Sequence, residues 1–235
     1  MPASKYAELK ERVWKANMEI PVRNLAIYTW GNVSQLDAAN GVFAIKPSGV
    51  PYDELKAEDI VVVDLDGTVV EGKLRASSDT PTHAILYRNF SGVGAIVHTH
   101  SPHACAWAQA ARAIPIYGTT HADHLATDIP CTEFMTDRAV RNDYEVETGK
   151  QIIATFKSAR LDPAEVPMVL VAGHGPFAWA STPEKAVYNA AVLEEVARMA
   201  WMTEAINPRV GRLKASIVRK HYERKHGPKA YYGQK

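Results

Sequence analysis

Apolar positions Tyr6, Leu9, Val13, Ala16 and Ile20 recur every three or four residues, which predicts an amphipathic helix over the first twenty residues, stopped by Pro21. Leu25 to Thr29 and Val42 to Ile45 read as strands. Ile60 to Leu65 with Thr68 to Val70 reads as a hairpin turned at Asp66-Gly67. Thr80-Pro81 opens a helix, with proline early where a missing N–H costs nothing. The apolar run Val93 to His98 suits a buried strand, and Ser101-Pro102 opens an alanine-rich helix to Ala111. Thr148 to Ala159 is helical by its Ile152, Ile153, Phe156 and Ala159 spacing. Pro167 to Ala172 is a second buried strand, broken by Gly173-His174-Gly175-Pro176 before Phe177 to Ala180. Ser181-Thr182-Pro183-Glu184 is a capping-box start for the longest helix, to about Ile206. Strands and helices intersperse without a repeat or a low-complexity linker, so one α/β domain, a mixed sheet covered by helices, is expected over residues 1–235.

Composition narrows the class. The 235 residues are 46% hydrophobic and 23% charged, ordinary for a globular chain, which excludes disordered and fibrous classes. The longest stretch without Asp, Glu, Lys or Arg, Asn89 to Ala111, carries three histidines and a proline and is no membrane span. The N-terminus lacks an apolar export segment, and Cys105 and Cys131 make no disulfide framework, so a cytoplasmic location is expected, with no membrane partner. The net charge of +1 hides an asymmetry: residues 211–235 hold eight Lys/Arg against one Glu, or +7, leaving −6 for residues 1–210. A basic tail on an acidic body raises the question of a nucleic-acid arm. Its histidines and tyrosines make it denser in chemistry than a simple polybasic arm.

Three histidines carry the sharpest signal. His98 and His100 are two residues apart at a strand end, where alternation sends both side chains to one face. His174 sits between glycines at the end of the other apolar run. Three imidazoles with an open fourth position suit a catalytic divalent metal, zinc first. Asp79 placed beside it would be a charge partner and a possible ligand. The turns Gly31-Asn32, Lys46-Pro47-Ser48-Gly49 and Ser77-Ser78-Asp79 offer backbone N–H groups with amide, ammonium and hydroxyl donors, which is what a phosphate needs. Each turn alone is ordinary, and Ser77 and Ser78 could equally cap the following helix. There is no GxGxxG after a strand, no GxxxxGK[ST], no GxSxG and no CxxC.

Seven strings occur in order: YTWGNVS (28–34), IKPSGV (45–50), SSDTPTH (77–83), IVHTHSPHA (96–104), GTTHAD (118–123), HGPFAW (174–179) and KHYERKHGPKAYYGQ (220–234). Together they resemble the class II aldolase and epimerase family, and within it the epimerase branch. The resemblance implies a three-layer α/β/α domain with a central mixed, mostly antiparallel sheet. It also implies one divalent ion per subunit (Zn²⁺, with Mn²⁺ or Co²⁺ as alternatives) and a homotetramer with active sites between subunits, the 211–235 tail reaching a neighbouring site, so that no nucleic-acid partner is expected. Carried onto this sequence, it assigns the metal to His98, His100 and His174 with Asp79 beside it. Substrate phosphate falls on Gly31, Asn32, Lys46, Ser48, Gly49, Ser77 and Ser78 with Arg224, and proton transfer on Asp123, Tyr232 and His221. The implied activity is C4 epimerisation of L-ribulose 5-phosphate to D-xylulose 5-phosphate. The rivals are a fuculose-phosphate-type aldolase, which the family pattern gives a Glu at position 79, and a non-catalytic adducin-like domain, which would have lost the histidines.

Overall fold

The computed structural model describes residues 4–228, 230 and 231. A seven-stranded sheet runs β4-β3-β2-β1-β5-β7-β6, built from β1 (Asn32–Asp37), β2 (Val42–Ile45), β3 (Val61–Asp64), β4 (Val69–Glu71), β5 (Ala95–His98), β6 (Met168–Leu170) and β7 (Pro176–Ala180). Every ladder is antiparallel, and the parallel element expected of a mixed sheet reduces to an isolated bridge between Cys131 and Leu170.

Alternation along the strands divides the core between the two faces. Ser34, Phe43, Ile45, Ile96, Phe177 and Trp179 share one face by register, covered by α2 (Thr80–Asn89) and α6 (Tyr144–Ala159). Phe43 meets Tyr87, and Trp179 packs between Phe90 and Phe156. The opposite face lies under α1 (Ala7–Val22) and α7 (Pro183–Ile206), so the chain is the three-layer α/β/α sandwich expected. α3 (Pro102–Gln109) packs on α7, α4 (Thr119–Ala122) and α5 (Asp137–Asn142) are short, and α8 (Ala215–His226) lies in the basic tail.

Three sequence readings are corrected. Residues 25–29 form no strand, because Asn24 and Tyr28 take left-handed backbone (φ 57° and 54°), which an extended strand excludes. Pro21 lies inside the last turn of α1, one residue before its end. At the start of α7, Thr182, not Ser181, caps by accepting from the Lys185 N–H.

One buried amide ties the layers where the site begins. β2 ends at Ile45, opposite Ser34, so Val33 has no partner on that side. Asn17 of α1, fully buried, accepts from the Val33 N–H (2.9 Å) and donates to its carbonyl (3.1 Å). The strand can then run on to Asn32 without an orphaned backbone group.

Candidate metal and phosphate site

Antiparallel pairing brings the start of β1, the ends of β2 and β5 and the start of β7 to one rim of the sheet. Asn32 is the register partner of His98, and His98 that of Phe177. A cleft of about 510 Å³ opens there, lined among others by Asn32, Lys46, Ser48, Ser77, Asp79 and the three histidines. Gly31, Gly49 and Ser78 also line it. All the metal and phosphate positions read from the sequence therefore meet in one place, except Arg224.

The histidines converge as a donor set. His98 Nδ1 donates to the Pro176 carbonyl (2.9 Å), an acceptor-only group, which fixes the tautomer and leaves the Nε2 lone pair facing the cleft. Phe177 stacks on the same ring, 4.2 Å between centroids. His100 Nε2 lies 3.2 Å from His98 Nε2, and one ring nitrogen from each of His98, His100 and His174 falls within 4.8 Å of the others. Burial, then the neighbouring imidazoles, push His174 down to about 3 and lower His100 as well, which keeps both rings neutral and able to donate lone pairs. Three imidazoles with their nitrogens so grouped fit a zinc-type divalent ion.

Asp79 sits at the N-cap of α2 yet makes no side-chain cap bond. Its carboxylate instead accepts from Asn32 Nδ2 at 2.6 Å, on the cleft side. Burial pushes its pKa up, but His98, His83, the Asn32 amide and His174 together outweigh burial and hold it below the usual carboxylate range. Ser77 Oγ accepts from the same Asn32 amide (3.2 Å) and the Asp79 N–H (3.3 Å), so it is tied into the turn as well as facing the cleft.

The two hydroxyl-bearing turns are clamped together. Ser77 N–H donates to the Lys46 carbonyl (3.1 Å), Ser48 N–H to the Arg75 carbonyl (2.9 Å), and Pro47 bridges Ala76. Lys46 is 1% exposed, and its ammonium donates to the Val50 carbonyl (2.6 Å) with the Tyr52 ring 5.0 Å away. No carboxylate pairs with it among the described residues, and burial pushes it down to about 8. Gly31 is required by space: at φ 87°, an added Cβ would lie 2.7 Å from the His98 carbonyl oxygen. Tyr52 Oη donates to the Trp30 and Gly31 carbonyls (both 3.0 Å), holding that turn against the cleft.

Asp123, His221 and Arg224 lie elsewhere on the chain. Asp123, at the end of α4, accepts from His221 Nδ1 (2.9 Å) and in bidentate fashion from Arg224 (2.9 and 2.6 Å), both on α8. Burial raises the Asp123 pKa, and Arg224, His221 and Lys225 outweigh it and lower it on balance. Val218 of α8 packs with Ile116 and Ala122, so the middle of the tail is docked on its own domain. None of Asp123, His221 and Arg224 lines the metal cleft, and Tyr232 lies outside the described residues.

Sequence reading missed Tyr144, whose hydroxyl is 3.2 Å from His174 Nδ1, with Glu145 and Thr148 beside it on the cleft wall. The signal was Asp143, whose side chain caps α6 by accepting from the Val146 N–H; recognising it starts the helix at Tyr144 instead of Thr148.

Solved structures share this architecture. An L-fuculose 1-phosphate aldolase is 26% identical with a TM-score of 0.77, the match covering 94% of this chain and 97% of that one. The L-fuculose-1-phosphate aldolase of Thermus thermophilus is 25% identical with a TM-score of 0.65, over 88% and 100% of the two chains. YgbL of Escherichia coli matches at 21% identity and a TM-score of 0.72, over 92% and 99%, a likeness of fold. The family profile described as "Class II Aldolase and Adducin N-terminal domain" matches residues 11–201, a span holding the whole histidine cleft, and the chain belongs to that family.

Proposed function

We propose that this chain is a metal-dependent sugar-phosphate epimerase that converts L-ribulose 5-phosphate to D-xylulose 5-phosphate. C4 of the substrate is not adjacent to the carbonyl, so its C–H is too weakly acidic for simple proton abstraction. Cleavage of the C3–C4 bond, rotation of the aldehyde fragment and recondensation on its other face invert C4 without that step. A divalent ion held by His98, His100 and His174, zinc by the donor set, supplies Lewis acidity toward the carbonyl oxygen when bound.

The chain's own residues account for the rest. Asn32, Ser48, Ser77 and Ser78, with the Lys46 ammonium, hold the phosphate so that the aldehyde fragment turns over without leaving. Asp79 sets the negative charge beside the histidines. Asp123 and Tyr232, with His221, exchange protons with the C4 oxygen, one on each face. Because Asp123 does not line its own chain's cleft, this reading requires a neighbouring subunit to supply it, as in a homotetramer with shared sites.

The observation that carries the epimerase reading is Asp79 in the SSDTPTH turn, its short carboxylate drawn onto Asn32, where the family pattern gives the aldolases a Glu. The aldolase reading has its own support in the 26% identity to an L-fuculose 1-phosphate aldolase over nearly the whole chain. Metal-loaded protein incubated with L-ribulose 5-phosphate separates them. Epimerisation yields D-xylulose 5-phosphate, whereas release of glycolaldehyde phosphate, or cleavage of L-fuculose 1-phosphate at a higher kcat/KM, establishes the lyase.

A further inference from the structure

The imidazoles of the cleft are not held alike. His98 is fixed from two sides, by the Pro176 carbonyl on Nδ1 and by the Phe177 ring stacked on its face. His174 has neither. It lies in the turn between β6 and β7, flanked by Gly173 at φ 72° and by Gly175, residues that leave the backbone free. Its own N–H donates to the Val171 carbonyl (3.0 Å), which places the residue without setting the ring. Among the described residues, the one hydrogen-bond partner of that ring is the Tyr144 hydroxyl, 3.2 Å from Nδ1, with the two ring centroids 5.8 Å apart.

Tyr144 is a firm partner because its backbone is pinned. Asp143 caps α6 immediately before it, the Tyr144 carbonyl accepts from Thr148 Oγ1 (2.8 Å), and the Glu145 carbonyl accepts from Thr82 Oγ1 of α2 (2.6 Å). Further along the helix Gly149 lets α6 close on α2, since an added Cβ there would lie 3.0 Å from the Ile85 side chain. The direction of the Tyr144–His174 bond follows from the donor set. A metal ligand needs a lone pair. The tyrosine occupies Nδ1 and leaves Nε2 to bind, so the ring proton sits on Nδ1 and the tyrosine oxygen accepts it. Were the hydroxyl to donate instead, Nε2 would carry the proton and His174 would be lost as a ligand.

We propose that Tyr144 is a positioning residue for the metal site: its hydroxyl accepts the His174 Nδ1–H, selects the tautomer with a bare Nε2 and aims that lone pair at the point shared with His98 and His100. This role rests on the metal reading of the three histidines. Tyr144 thus does for His174 what the Pro176 carbonyl does for His98, and the first turn of α6 becomes part of the site.

Zinc affinity measured by chelator competition on wild type, Tyr144→Phe and Tyr144→Leu tests the role, with the His174 ring read by long-range ¹H–¹⁵N correlation in zinc-loaded protein. Tyr144 is 36% exposed, so neither substitution opens a cavity in the core. Loss of an outer partner of a metal site costs about 10- to 100-fold in affinity. That loss is expected in full for Tyr144→Phe, which keeps the ring and removes only the hydroxyl, and Tyr144→Leu should add little to it. Affinity unchanged in Tyr144→Phe and lost only in Tyr144→Leu assigns the tyrosine to packing and overturns the proposal. In wild type, His174 should bind zinc through Nε2 and carry a slowly exchanging proton on Nδ1, and that exchange should quicken in Tyr144→Phe. Zinc on Nδ1, or exchange no faster in the variant, overturns the proposal equally. Wild-type protein that binds no zinc refutes the metal reading itself, and the role of Tyr144 falls with it.

Discussion

Lys46 offers the most quantitative test of the phosphate assignment, because its protonation is tied to what occupies the cleft. In the folded chain, burial holds it at about 8, against an ordinary lysine value of 10.5. A phosphate dianion beside the ammonium favours the charged form, so binding between these values takes up a proton. At pH 8 about half of the lysines are neutral beforehand and at pH 9 about nine in ten, so uptake on binding is about 0.5 and 0.9 proton. If the bound dianion restores the ordinary value, affinity falls by about 80-fold between pH 8 and 10.5 and by about 300-fold over the whole titration, from well below 8 to well above 10.5. This is about 3.4 kcal/mol at 1.36 kcal/mol per pH unit. The stability of the ligand-free protein moves the other way. The unfolded chain binds more protons than the native one between about 8 and 10.5, so the destabilisation from burying the ammonium is full below pH 8 and relieved above it. Calorimetric titration with inorganic phosphate in two buffers of different ionisation enthalpy gives the uptake directly, with Lys46→Met as reference. Uptake below about 0.1 proton at pH 9 with binding intact, or equal uptake in Lys46→Met, refutes the argument.

Replacing His98 and His100 together by asparagine should abolish stoichiometric metal in purified protein, and metal that persists in the double variant removes the triad assignment. Gly31→Ala places a Cβ 2.7 Å from the His98 carbonyl and forces a side chain onto φ 87°, so it should destabilise by about 1–3 kcal/mol and weaken metal binding; an unchanged melting temperature contradicts it. Because the Asp123 pKa is lowered, docking of α8 contributes stability above the unfolded carboxylate value near 3.9 that is lost as pH falls through the folded value. Asp123→Asn should flatten that acid limb in melting curves taken from pH 5 downward. Tyr232→Phe should lower epimerisation by about 100-fold or more if its hydroxyl transfers a proton, whereas a packing role leaves the rate unchanged.

The apolar runs were legible because burial on both faces of a central strand leaves little else in the sequence: β2, β3, β5 and β7 were all anticipated. β1 was not. Asn32 reads as part of the Gly31-Asn32 turn and the polar Ser34 and Gln35 make no apolar run, yet Ser34 is fully buried and bonded to His83 and Tyr87. A strand that carries a site spends its polar groups inward, and that defeats an alternation rule built on apolar-in and polar-out. The same trade explains Leu25 to Thr29, whose β-like composition is overruled by the left-handed residues that turn the chain toward Gly31. His98, His100 and His174 were legible because donor type and spacing survive translation into chemistry. Tyr144 and His83 were not, since a helical tyrosine or histidine is ordinary until its neighbours are known.

The geometry also constrains how the second cluster can act. Arg224 was assigned to the phosphate and Asp123 to proton transfer, but in the folded chain the guanidinium occupies both Asp123 oxygens, with His221 on one of them. A carboxylate paired in this way is a poor base, and the guanidinium has its Nε–Nη2 edge committed to it. Asp123 gains basicity in this arrangement only when Arg224 leaves it for another anion. On the proposed function, a sugar phosphate held in a neighbouring subunit's cleft would be such an anion. Its arrival would draw Arg224 away, raise the Asp123 pKa toward the range of a working base, and couple proton transfer to occupancy of the cleft.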